Sequence, residues 1–151
     1  MIDTVSSTAT AALLNAVYQN VKAVSDSLLN LMPKVKDEAL KNDMTVQISI
    51  YEGFASRSAK LLAEEDAKPE KEGMMTKLGV KLGDVMNAVI DSGTAHLAQM
   101  VIKHTTTEMN ALFKEIREAE ARGVSGEPLH LAKHLYEYEE KTAEDMKAYL
   151  G

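Results

Sequence analysis

His104 and Glu108 lie four residues apart, so on a helix they share one face. They interrupt an otherwise apolar stripe of Leu97, Met100 or Val101, Leu112 and Ile116. Further along, Glu139 interrupts a second stripe of Leu131 or Ala132, Leu135, Thr142 or Ala143, and Met146. Gly123-Val124-Ser125-Gly126 reads as a tight turn between the two. Glu108 falls about sixteen residues before that turn and Glu139 about fifteen after it. Both then stand ~22–25 Å from the same end of a helical hairpin. The same height on a preceding helix falls near Tyr51 and Glu52, and on the first helix near Tyr18 and Gln19. Glu52, His104, Glu108 and Glu139, flanked by two tyrosines, are therefore expected at mid-bundle. Clustered carboxylates repel one another when ionised, and a divalent cation such as Fe, Mn or Zn cancels that repulsion. Inward carboxylates and imidazoles are how bundles build such metal sites.

The full di-iron pattern needs a Glu from each of two helices and a Glu-x-x-His from each of the other two. Here Ala55 follows Glu52 by three and Thr142 follows Glu139 by three, and the first helix has no carboxylate before Asp26. The competing expectation puts Glu52 just off its stripe and in water. In it, Glu108 and Glu139 sit at a seam, reaching solvent or pairing with Lys114, Lys133 or Lys141. His130 and His134 have chelating spacing but fall on an outer face with no third ligand. His96 reads as a packed or capping residue. Met74, Met75, Met86 and Met100 read as core filling, with partner binding as the alternative. No phosphate loop or nucleotide fingerprint is present.

The elements that must position these residues are helices, because apolar residues recur at helical spacing and nothing alternates like a strand. The first stripe is Leu14, Val17, Val21, Val24, Leu28 and Leu31, predicting a helix over about 8–32 with Ser7 or Thr8 as N-cap. Pro33 ends or kinks it. A second helix is expected over 37–64, with Leu40, Met44, Gln47, Tyr51, Phe54, Ser58 and Leu61 on its stripe. A polar linker follows, to Gly73. A shorter helix over 74–91 carries Met75, Leu78, Leu82, Val85, Met86, Val89 and Ile90 on one face. Asp91-Ser92-Gly93-Thr94 reads as a break with Thr94 as N-cap, although one helix through 74–121 is the alternative. Helices over 95–121 and 128–150 complete the chain, with Pro128 in the last one's first turn. The expected architecture is all-α: a ferritin-like antiparallel four-helix bundle with an additional short crossover helix, in one domain over 1–151.

The chain of 151 residues is 45% hydrophobic and 26% charged, with no cysteine and a net charge of −6. The acidic balance argues against nucleic acid. The absence of a basic leader or a long apolar run argues against a signal peptide and a membrane span. Missing cysteines fit a reducing, cytoplasmic setting.

The run Thr94-Ala95-His96-Leu97-Ala98-Gln99-Met100 resembles the "Ser-His-Ile-Ala-Glu-Met" helix start of a group of small, uncharacterised, ferritin-like four-helix proteins of Gram-positive bacteria. Gln47, Tyr51 and the pair Glu139-Glu140 are similar to that group, and the likeness runs from about residue 13 onward. It implies a ferritin-like fold and no assigned activity. Gln99 departs from the group's Glu, and His104 and Glu108 stand where it has small residues, often glycine. The expected function is non-enzymatic, through protein contacts or self-association as a homo-oligomer, the simplest being a dimer. The alternative is a metal-binding or redox bundle with a degenerate carboxylate site.

Overall fold

Six apolar residues, Leu14, Val17, Val21, Val24, Leu28 and Leu31, are almost wholly buried along α1 (Thr4–Leu31). Their 3–4 spacing keeps them on one side of a helix. The computed structural model describes residues 4–65, 67 and 93–151. α1 begins at Thr4, earlier than the expected start near residue 8. The reason is that Ser7 is not a cap: its hydroxyl donates to Glu65 at 3.0 Å, tying the foot of α1 to the end of the next helix.

Pro33 stops α1 as expected, inside a short 3₁₀ turn, Met32–Lys34. α2 (Glu38–Glu64) follows, with the Asp37 side chain accepting from the Leu40 N–H at 2.9 Å. That bond satisfies one of the orphan donors at the helix start. Its buried stripe matches the expected one except at the end, where Leu62 is buried and Leu61 only partly so.

The chain resumes with Gly93, whose backbone is extended and caps α3 (Thr94–Ala121). Thr94 is thus the first helical residue and not the cap, and a single helix through 74–121 is excluded. The expected helix over 74–91 lies outside the described residues, as does the linker apart from Glu65 and Ala67. Gly123, in the left-handed region at φ 86°, closes α3. Its N–H bonds to Glu120 O, and Val124 N–H bonds to Ala119 O at 3.0 Å. This is a Schellman closure, with buried Val124 supplying its apolar contact. Gly126, also left-handed, leads into α4 (Glu127–Met146), with Pro128 in the first turn. α4 ends before the expected Leu150, tightening into a 3₁₀ turn, Lys147–Tyr149.

Cross-helix pairs give the directions. Asn20 meets Glu108 and Ser27 meets His104, so α3 runs against α1. The rings of Tyr51 and Tyr138, and of Phe54 and His134, make edge contacts, so α4 runs against α2. The described chain therefore leaves one end of the bundle at Ala67 and resumes at the other at Gly93. α1 packs closely on α2 and α3, and α3 on α4. Bulky aromatic side chains hold α2 and α4 farther apart. Four helices and no strand make up the described residues. None of these helices is long and apolar enough to cross a membrane.

Candidate functional site

Glu139 is the most deeply buried carboxyl group of the middle layer, at 0% exposure. Its place follows from the α4 stripe: it lies four residues after Leu135 and three before Thr142, both buried. Asn20, on α1, joins three helices around it. The Asn20 amide donates to Glu139 Oε1 at 3.0 Å and to the backbone oxygen of Glu108 at 3.0 Å. The Glu108 side chain is buried beside them. Tyr51, fully buried on α2, closes the layer from the opposite side. Thr142 stands next to Tyr51, but its hydroxyl donates to the Glu139 backbone oxygen at 3.1 Å.

The layer is rich in acceptors and poor in donors. Glu139 Oε2, Asn20 Oδ1, Gln47 Oε1 and the Tyr51 hydroxyl are all buried without a hydrogen-bond partner. Removing a carboxylate from water strongly disfavours its charged form. Burial pushes the Glu139 carboxyl well above the usual carboxylate range, and the neighbouring Glu108 pushes it further. The Asn20 hydrogen bond opposes this but does not reverse it. A protonated Glu139 adds an O–H donor to the unused one of Tyr51. Burial likewise holds the Tyr51 phenol in its neutral form.

Of the four residues expected to meet, the structure brings together Glu108 and Glu139. Glu52 is exposed and plays no part in the layer. It follows the inward-facing Tyr51 directly, and one residue is a turn of about 100° on a helix, enough to carry a side chain from core to water. His104 is only half-buried and is engaged elsewhere: its Nδ1 shares a hydrogen bond with the Ser27 hydroxyl. Burial, with Lys103 nearby, pushes its pKa down, so the imidazole is neutral. Ser27 is itself buried, near the C-terminal end of α1, so the pair fastens α1 to α3. Among the described residues no three His, Asp or Glu side chains converge to hold a metal ion. The four-residue Fe, Mn or Zn site is therefore not assembled. Two of the three expected lysine partners are spent elsewhere: Lys133 pairs with Glu120 at 3.0 Å and Lys141 with Asp145 at 2.7 Å.

Asn20, Ser27 and Thr142 were not expected in these roles. The signal for the first two is their place directly beside Val21 and Leu28 of the α1 stripe. His134 is exposed, yet its ring packs edge-on against Phe54 at 5.4 Å.

A second feature lies outside. Val46 and Ile50, four apart on α2, are 56% and 38% exposed. Gly53 extends their face, and a methyl group added there would meet nothing within 4 Å. Phe113 is also exposed, but Tyr136 and the Arg117 guanidinium both pack on its ring.

Comparison with protein-family models, curated proteins and solved structures finds no match for this chain.

Proposed function

We propose that this protein is a non-enzymatic helical bundle that acts through protein contacts, self-association first among them. The observation that carries the proposal is the exposed pair Val46 and Ile50 on one face of α2. Exposed apolar side chains in register along a helix gain free energy when a partner removes them from water, roughly 25 cal/mol per Å² of apolar surface. The middle layer supports the same reading from the other side. Its carboxyl, amide and phenol groups face one another inside the bundle and are positioned to bind helices together.

The ferritin-like assignment belongs to this proposal. In its favour, α1 and α4 run one way and α2 and α3 the other, the direction pattern of two hairpins joined by a long connection. The resemblance around Thr94–Met100 adds to it. A cytoplasmic setting belongs to it too, supported by the cysteine-free composition.

Sedimentation equilibrium of the full chain, freed of any tag, tests the proposal. The expected result is a mass above that of one 16.5 kDa chain, rising with concentration. A 16.5 kDa species at every concentration would contradict it.

A further inference from the structure

The exposed face of α2 has the spacing of a helix-pairing seam. Asp43, Val46, Ile50, Gly53, Arg57 and Lys60 follow one another at steps of 4 and 3, and all six are exposed. Such a stripe can meet itself about a two-fold axis, where the contact of residue i with j recurs as j with i. An antiparallel copy centred between Ile50 and Gly53 pairs residues whose numbers share one sum. Ile50 then faces Gly53 of the second copy, Val46 faces Arg57, and Asp43 faces Lys60.

Each pair fits chemically. The Ile50 side chain enters the space that Gly53 leaves open, since nothing lies within 4 Å of where a methyl would be. The aliphatic stem of Arg57 covers Val46 while its guanidinium stays in water. Asp43 and Lys60 carry opposite charges, and symmetry supplies the pair twice. A parallel pairing would instead set Asp43 against Asp43 and Lys60 against Lys60, which is repulsive. Asp43 is also held in place, because it accepts the hydrogen bond of the Tyr149 hydroxyl. That bond pushes the Tyr149 pKa up to about 12.

We propose that the partner of this face is a second copy of the chain, bound through an antiparallel α2–α2 seam with Ile50 set against Gly53. The inference rests on the self-association proposed above and specifies its geometry. Because the chain has no cysteine, introduced thiols report only on the positions chosen. Disulfides form where Cα atoms approach within about 7 Å. An equimolar mixture of I50C and G53C proteins, mildly oxidised, should give mainly the mixed 50–53 cross-link, identified by mass. Each variant alone should cross-link several-fold less, since like positions are offset by three residues, ~4.5 Å along the axis. An L29C control on α1 should stay uncross-linked. In parallel, D43K should weaken association at least tenfold, and D43K/K60D should restore it. Preferential 50–50 and 53–53 cross-links, or no rescue by the charge swap, would overturn the seam while leaving self-association intact. A wild-type chain that sediments as a monomer would overturn both.

Discussion

The two faces of α2 each depart at a few positions from the usual order of a bundle helix. Inward at positions 47, 51 and 58 stand Gln, Tyr and Ser, all buried; outward at 46 and 50 stand Val and Ile, both exposed. A helix that served only its own core would place these residues the other way round. On the inner face, polar groups lose water and regain only part of their hydrogen bonding, so the layer contributes less stability than its volume suggests. On the outer face, apolar surface remains available for a partner. The difference teaches that α2 is held in the bundle by shape and aromatic packing, while its outward side is shaped for association.

The largest effect should come from removing the aromatic anchor of the inner face. Tyr51→Ala should cost about 3–5 kcal/mol in chemical unfolding, since it empties a fully buried site. Tyr51→Phe should change stability by less than about 1 kcal/mol, because the hydroxyl has no partner to lose. If the Phe variant proved as damaging as the Ala one, the phenol would be bonded and the inner layer satisfied.

Next in size is Glu139. Glu139→Gln should raise stability at pH 7 by about 1–3 kcal/mol, because the amide donates at any pH, whereas the buried carboxyl must first take up a proton to do so. The sign with pH follows from linkage. The folded-state pKa of Glu139 lies above its ordinary value of 4.5. Its full contribution is present below that value and declines as pH rises through the raised one. Wild type should therefore lose stability relative to Glu139→Gln as pH rises above 4.5. Parallel curves for the two proteins would show that Glu139 titrates normally.

The smallest effect is expected at the α1–α3 fastening. Ser27→Ala should cost about 1 kcal/mol by removing the hydrogen bond to His104. His104 has the opposite pH behaviour to Glu139. Its folded-state pKa is lowered below 6.5, so the unfolded chain takes up its proton first and stability through His104 falls as pH drops through 6.5. Titrating the His104 ring by NMR should give a midpoint below 6.5. A midpoint at or above 6.5 would show that burial at the fastening is slight.

Helix positions were largely legible in the sequence, because each apolar stripe repeats at a helical period and the stops carry their own chemistry. Pro33 was legible for that reason, and so was the turn at Gly123 and Gly126. The inward turn of Glu108 and Glu139 was legible from their stripes. What escaped was rotation about the helix axis. Glu52 was placed at the right height but is separated from Tyr51 by one residue and hence by about 100°. The same limit set Gln19 in place of Asn20 on α1 and set His104 at the core ahead of Thr105, the more deeply buried of the two. Asn20 also escaped because its partners lie 88 and 119 residues away, beyond any local pattern.

The central claim is that the outward face of α2 is an association surface and not a tolerated exposure. Ile50→Lys tests it most directly, by sedimentation equilibrium alongside wild type and with the unfolding curve of each protein. The account predicts that wild type associates, that Ile50→Lys sediments at 16.5 kDa, and that unfolding measured at monomeric concentrations is nearly unchanged. Equal association of the two proteins would contradict it.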